Sequence, residues 1–160
     1  MNKKQKSLTN KGFSLVELII VIAIMAVLVG ILAPQYIKYL DKSKISADKQ
    51  LADNLRQAIT TTMLDPEIAT PTLASAETDI PNTGDAALDA FWKEVYSIVG
   101  TADGTALENA LKYEKGATIK YFVSSDKDVT VTVTYSGTGA GGATANANNF
   151  KVDKNGASTK

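Results

Sequence analysis

The chain has 160 residues, a formal net charge of zero, and no His or Cys. Without these side chains it can build no disulfide, thiolate nucleophile, imidazole base or usual zinc site, so we expect no enzyme activity, no bound metal and no cofactor. Beyond the first twelve residues, which hold four lysines and no acid, seventeen acidic residues outnumber thirteen basic ones, so nucleic-acid binding is not expected.

The apolar segment after this basic leader is long enough to cross a membrane. Between residues 13 and 33 the only polar side chains are Ser14 and Glu17, and Leu18–Ile37 is a run of twenty residues without a charge. As a helix that run is about 30 Å long, the thickness of the hydrocarbon of a bilayer. A carboxylate in such a segment is costly, which makes Glu17 a candidate functional residue.

Two ordinary explanations of the apolar run remain as alternatives. A cleaved secretory signal peptide usually has a shorter apolar region, followed by small residues at its cleavage site. An uncleaved signal anchor would account for the run, but it leaves the Gly12–Phe13 junction and Glu17 unexplained.

A helical pattern continues beyond the apolar run. Apolar residues recur at three- and four-residue steps along one face, namely Ile37, Leu40, Ala47, Leu51, Leu55, Ala58, Ile59 and Met63. Together with the apolar run they predict a single helix from Ser14 to Leu64, ended by the Asp-Pro pair that follows. Lys44 with Asp48 and Lys49 with Asp53 are spaced by four, and we expect these charges on the solvated face.

Two residues weaken the predicted helix near the end of the apolar run. Pro34 removes a backbone hydrogen bond and kinks or opens the turn, and Gly30 lowers the helix propensity four residues earlier. A simple kink at the membrane surface would explain both residues.

The middle of the chain predicts a connection and two short helices. Residues 65–85 are rich in Pro, Thr and Asp, which is typical of a surface connection. Apolar residues of 86–99 share one helical face, with Trp92 expected in the core, and a shorter helix is predicted over 106–112.

The last third of the chain predicts strands. Residues 119–123 alternate in polarity, residues 129–135 alternate strictly and indicate a half-buried strand, and a weaker third strand could include Phe150 and Val152. An antiparallel sheet of these strands would bury its valine face on the amphipathic half of the long helix, which gives an α+β fold.

Three other patterns are interpreted as turns or loops rather than binding sites. Residues 137–142 contain G-x-G-x-x-G after a strand, but no amphipathic helix follows, so a flexible loop is expected instead of a nucleotide site. Residues 153–156 resemble the first half of a calcium loop without its third ligand and closing Glu, so a turn is expected. Asp126 and Asp128 are expected to be ordinary turn residues of a hairpin.

The amino-terminal pattern resembles the class III leader and first helix of type IV pilins. The likeness rests on Lys11, the Gly12–Phe13 junction, Glu17 and the apolar helix behind them. It implies that a prepilin peptidase cuts between Gly12 and Phe13 and methylates the amine of Phe13. It also implies that Glu17 pairs with the amine of a neighbouring subunit during filament assembly, and that the helix can unwind near Gly30 and Pro34.

The same resemblance implies a domain organisation and a location. Residues 1–12 would be a cleaved leader, residues 13–40 a membrane anchor and later the filament core, and residues 41–160 the globular head. The expected fold is the pilin ladle, a long helix with the sheet on its outer half. The chain would cross the cytoplasmic membrane once, with its amino terminus in the cytoplasm, and later form an extracellular pilus for adhesion, motility or biofilm formation.

The partners implied are other copies of the chain, the prepilin peptidase, an assembly platform protein with its ATPase, minor pilins and the cytoplasmic membrane. The lack of Cys makes the chain look like pilins of clostridia, since many Gram-negative pilins carry a disulfide. Two alternatives stay open. One is a pseudopilin of a type II secretion or competence DNA-uptake system, and the other is a monomeric membrane-anchored extracellular domain.

Overall fold

A computed structural model describes residues 12–68, 76–82, 90–136 and 148–159 of the chain. The helices are α1 (Leu15–Met63), α2 (Ala90–Val99) and α3 (Gly104–Asn109). The strands are β1 (Thr78–Asp79), β2 (Thr118–Val123), β3 (Val129–Thr134), β4 (Phe150–Asp153) and β5 (Gly156–Thr159). This long amino-terminal helix and carboxy-terminal antiparallel sheet confirm the predicted α+β fold. The chain divides into two compact units, residues 1–36 and 37–160.

Helix α1 agrees with its prediction to within one residue at each end. After its last turn the backbone N–H groups of Leu64 and Asp65 donate to the carbonyls of Thr61 and Thr62, at 3.1 and 3.2 Å. The helix contains Pro34 in its interior and remains α-helical there.

The first unit exposes all of its described side chains. Every residue from 12 to 36 is exposed in the single chain, including large apolar ones such as Ile22 and Leu28. Helix α1 is long and apolar enough to cross a membrane by length and composition, a test that a signal sequence also passes. Exposed apolar surface on this scale favours burial in lipid or against protein.

The sheet of the second unit has the strand order β1-β2-β3-β4-β5, and all neighbouring strands are antiparallel. Strands β2 and β3 match their predictions to within one residue, and β4 confirms the weak third strand. Strands β1 and β5 were not predicted, because β1 has only two residues and β5 (Gly-Ala-Ser-Thr) lacks alternating apolar side chains.

The core of the second unit gathers apolar side chains from α1, α2, α3 and the sheet. Trp92 is only 5% exposed, and its ring centroid lies 4.9 Å from that of Tyr121 and 5.7 Å from that of Tyr96. The prediction that Trp92 is a core residue is therefore confirmed.

Strand β3 is more deeply buried than its alternation predicts. Its valines are buried as expected, but Thr130 and Thr132 on the opposite face are also buried, so the expectation of a half-buried strand is wrong. The hydroxyl of Thr132 donates a 2.9 Å hydrogen bond to the carboxylate of Glu77. The connection ahead of β1 therefore reaches the face of the sheet that alternation assigns to solvent.

Helix α3 begins and ends earlier than predicted. It begins after Asp103, whose carboxylate accepts a 2.8 Å hydrogen bond from the N–H of Ala106 and so caps the helix. Beyond the helix, the N–H groups of Lys112 and Tyr113 donate to the carboxylate of Asp48 instead of to helical carbonyls. The two donors that a longer helix would use are thus taken by a side chain of α1.

The predicted turns are confirmed. Between β2 and β3 the N–H of Ser124 donates to the carbonyl of Asp128 at 2.9 Å, and Lys127 adopts a φ of 61°. Between β4 and β5 the N–H of Asn155 donates to Asp153 at 2.7 Å, and Gly156 has a φ of 106°, which glycine adopts without strain. The remaining pattern, the glycine-rich stretch 137–142, lies outside the described residues.

Candidate functional site

The residues singled out at the amino terminus lie together on the surface of the first unit. Phe13, Glu17, Leu18 and Val21 line one shallow, mainly apolar groove of about 430 Å³. Phe13 is 94% exposed, so its ring is not packed against the rest of the described chain. The groove therefore presents an apolar ring beside a carboxylate.

Glu17 has a local role that the sequence reasoning missed. A carboxylate oxygen of Glu17 (Oε2) accepts a 2.9 Å hydrogen bond from the backbone N–H of Ser14, and the Ser14 hydroxyl accepts a 3.3 Å bond from the N–H of Val16. Ser14 precedes the first residue of α1, so the bond from its N–H to Glu17 is the return half of a capping box, whereas the Ser14 hydroxyl caps the N–H of Val16 rather than that of Glu17. The signal was present in the sequence as Ser-x-x-Glu.

The capping box fixes the position of the carboxylate. Because Oε2 is held by Ser14, the side chain of Glu17 is turned towards the start of the helix. Within the described part of the chain, the other oxygen, Oε1, accepts no hydrogen bond. One oxygen of Glu17 therefore stabilises the helix, and the other stays available to an incoming donor.

Gly12 and Gly30 are free of steric constraint in the single chain. A Cβ added at either position would meet no atom within 4 Å, so the fold of the described chain does not require glycine there. Gly30 has a further relation to Pro34, because the carbonyl four residues before a proline receives no helical hydrogen bond from it. The helix is therefore short of one backbone bond at this pair.

Asp48 is the second side chain whose role the sequence reasoning missed. It was expected on the solvated face beside Lys44, but it is only 1% exposed, so that expectation is wrong. Its carboxylate accepts hydrogen bonds from the N–H groups of Lys112 at 2.7 Å and Tyr113 at 3.0 Å, and from the hydroxyl of Tyr135 at 2.8 Å. Three donors thus compensate for the burial of this carboxylate.

The environment around Asp48 also shifts the pKa of the Tyr135 hydroxyl. Burial, followed by the hydrogen bond to Asp48 and its negative charge, raises the pKa of the Tyr135 hydroxyl well above its ordinary value. The phenol is therefore kept as a neutral donor. The spacing of Asp48 from Ala52, Leu55 and Ile59, which are buried on the same helix face, is the signal that could have revealed its burial.

Lys49 and Asp53, the other two charged residues expected on the solvated face of α1, are both half-buried. Asp53 accepts from Arg56 at 2.9 Å and from Gln57 at 2.7 Å, rather than pairing with Lys49. The amine of Lys49 lies 5.7 Å from the centre of the Phe150 ring, where a cation is attracted by the aromatic face.

Comparison with known proteins identifies the family. Residues 8–33 match the family described as the prokaryotic N-terminal methylation motif. A type IV major fimbrial protein, FimA, of Dichelobacter nodosus is 35% identical over 118 residues, which cover 74% of this chain and 66% of that protein. A fimbrial protein of Pseudomonas aeruginosa is 30% identical over 113 residues, which cover 69% of this chain and 73% of that protein. The chain belongs to the type IV pilins.

The extent of these matches differs between relatives. The chain spans just under two thirds of the first FimA and, at 45% identity over 55 residues, 35% of a second FimA from Dichelobacter nodosus. No solved structure matches the pilin. Its narrower likeness to clostridial pilins stays a prediction. Family membership and the apolar amino-terminal helix support membrane anchoring and a place in a surface pilus.

Proposed function

We propose that this pilin is a structural subunit that polymerises through its amino-terminal helix into a type IV pilus. The observation that carries the proposal is the exposure of every residue from 12 to 40 in the single chain, most of them apolar. Burial of apolar surface contributes about 25 cal/mol per Å², so such a helix is stable in lipid or against other helices rather than in water. Bundled helices of other copies would bury it in a filament.

Processing at the Gly12–Phe13 junction would prepare the subunit for assembly. A prepilin peptidase would cut the peptide bond after Gly12 and methylate the amine of Phe13. The steric freedom of Gly12 and the exposure of Phe13 support access by an enzyme. The cut leaves the Phe13–Ser14 peptide bond intact, so the N–H of Ser14 would still donate to Glu17.

Glu17 would select the register between subunits. The free amine of Phe13 is a cation, and an unpaired charge in apolar surroundings costs roughly 3 kcal/mol or more. The unoccupied oxygen of Glu17 supports its pairing with the amine of a neighbouring subunit, while the other oxygen keeps the capping bond. Only a stack that brings the two groups together would satisfy both charges.

Gly30 and Pro34 would let the helix open in the filament. The missing backbone bond at this pair lowers the cost of unwinding there, and glycine adds conformational freedom. Local unwinding would let each helix adjust its path where it packs against the helices of neighbouring subunits.

The route and the partners follow from the same proposal. The pilin would cross the cytoplasmic membrane once, with its amino terminus in the cytoplasm, and a platform protein, an ATPase and minor pilins would move it into an extracellular pilus. Adhesion, motility or biofilm formation would be the use of that pilus. Relatives named as major fimbrial proteins favour a pilus over a secretion or DNA-uptake pseudopilin.

Immunogold electron microscopy of material sheared from cells tests this function. We expect the antibody to decorate long filaments along their whole length in cells with the native pilin, and no filaments in cells that lack the gene. Antibody label confined to membranes, with filaments still present and undecorated, would contradict the proposal.

A further inference from the structure

We propose that one face of α1, around Tyr39 and Lys42, docks on the anionic headgroups of the membrane leaflet before the pilin is assembled. Tyr39, Lys42, Ser43, Ser46, Ala47 and Gln50 line a shallow groove of about 410 Å³ on this face. The inference rests on the proposed membrane anchoring and adds a specific contact to it.

The fully exposed charged side chains around this groove are lysines. Between residues 37 and 48 the exposed charged side chains are Lys38 and Lys42, since Asp41 and Lys44 are half-buried and Asp48 is buried. Lys38 and Lys42 are four residues apart and share one face of the helix. Basic side chains next to a membrane are attracted by anionic lipids within the range of the surface potential, so the charge complements a leaflet that contains such lipids.

The lysines also lie at the right distance from the apolar run. The uncharged run ends at Ile37, and a rise of about 1.5 Å per residue places Lys38 about 1.5 Å and Lys42 about 7.5 Å beyond it along the helix. The polar layer on each side of the hydrocarbon is about 5–7 Å thick. When the uncharged run fills the hydrocarbon, the backbone of Lys38 therefore lies within the headgroup layer and that of Lys42 at its outer edge, where the flexible side chain can still reach phosphate.

The neighbouring side chains suit the same environment. Tyr39 is 70% exposed, and tyrosine is enriched at membrane interfaces because its ring is apolar and its hydroxyl polar. Leu40 is partly exposed beside it, and the stems of the lysines can cover apolar surface while their amines reach phosphate. The hydroxyls of Ser43 and Ser46 add donors to the groove.

Site-resolved labelling of lysines tests the docking surface. The full-length pilin is reconstituted into vesicles of phosphatidylcholine, with or without phosphatidylglycerol, and treated with a membrane-impermeant amine-reactive ester. Mass spectrometry then gives the labelling rate of each lysine. We expect Lys38 and Lys42 to react about fivefold more slowly when phosphatidylglycerol is present, as for one favourable charge contact each. The exposed head lysines Lys93 and Lys127 should react equally in both vesicles.

A matched pair of variants shows whether the protection of Lys38 depends on its neighbour Lys42 or on the total charge of the chain. Lys42→Gln should reduce the protection of Lys38, whereas Lys93→Gln should leave it unchanged. High salt should remove the protection in the native chain, because the attraction is screened.

Three results would overturn the inference. Equal labelling of Lys38 in both vesicles, with the chain still floating with the lipid, would exclude headgroup docking but leave membrane anchoring intact. Protection seen only in sheared filaments would assign the face to a second copy of the pilin. Failure of the chain to float with either vesicle would refute the anchoring itself, and the docking with it.

Discussion

The backbone N–H of Ser14 lies 2.9 Å from a carboxylate oxygen of Glu17, three residues later in the first turn of α1. This bond gives the carboxylate a structural role inside its own chain, before any neighbour is present. It also holds the charged group of this exposed side chain at a defined position. The proposed pairing between subunits would then use a carboxylate that is already oriented.

Glu17→Gln separates the two roles of this side chain. Glutamine can still accept the bond from Ser14, since Gln also completes a capping box, but it cannot neutralise the amine of a neighbour. We expect normal export and cleavage but at least about tenfold less pilin in sheared filaments, as for an amine left unpaired in apolar surroundings. Immunoblots of the sheared and membrane fractions give the ratio.

Glu17→Ala serves as the comparison for that variant, because it removes the cap and the charge together. Equal and low assembly of both variants would assign the effect to the charge. Native filament yield from Glu17→Gln would show that hydrogen bonding alone suffices and would refute the charge pairing.

Pro34→Ala should stiffen the helix at the proposed opening. Alanine restores an N–H donor for the carbonyl of Gly30 and raises the helix propensity by up to about 3 kcal/mol. Hydrogen exchange at the backbone amides of residues 30–33 should slow for the pilin in detergent, whereas Gly12→Ala, whose added Cβ would meet no atom within 4 Å, should leave it unchanged. Unchanged exchange in Pro34→Ala would argue against a weak point here.

Much of the fold could be predicted because its signals are local. The uncharged run, the i, i+3, i+4 spacing and the alternation of β2 and β3 each depend on neighbouring residues. The burial of Asp48 could also have been predicted from its spacing to Ala52. The three hydrogen-bond donors to its carboxylate could not, because they lie 64 to 87 positions away in the sequence. The burial of Thr132 likewise depends on Glu77, a contact over 55 residues that no local pattern encodes.

Asp48→Asn should destabilise the second unit. The amide replaces an acceptor oxygen with a donor, so at least one of the three N–H and O–H groups around it loses its partner. We expect a loss of about 1–3 kcal/mol in the free energy of unfolding, the usual cost of an unsatisfied buried polar group. Urea unfolding of the full-length pilin in detergent, followed by Trp92 fluorescence, measures it, with Asp41→Asn as a half-buried control.

The raised pKa of the Tyr135 hydroxyl predicts that the folded chain loses stability in alkali. Its pKa is raised in the folded chain above the ordinary value of 10.0, mainly by burial, so the unfolded chain loses this proton first. The stabilising contribution is therefore complete below that ordinary value and is lost as the pH rises above it. Stability curves from pH 8 to 12 should fall less steeply for Tyr135→Phe than for the native chain. Parallel curves would show that Tyr135 does not control the alkaline transition.

Gly104→Ala should destabilise the contact between the start of α3 and residues 81–82. The N–H of Gly104 donates to the carbonyl of Pro81 at 3.1 Å, and an added Cβ would lie 2.3 Å from that oxygen. The backbone must move to relieve the clash, which costs about 1–3 kcal/mol. Thermal unfolding should show a lower midpoint than for Asn109→Ala, an exposed change at the end of the same helix. An unchanged midpoint would mean that the backbone moves to relieve the clash without a measurable cost in stability.

Sequencing the amino terminus of surface-sheared protein by mass spectrometry tests the central claim most directly. The account predicts that the sheared fraction contains this chain beginning at methylated Phe13, since only a processed subunit would enter the filament. An intact Met1, or a terminus at any other residue, would contradict both the processing at Gly12 and the assembly of this chain as a pilus subunit.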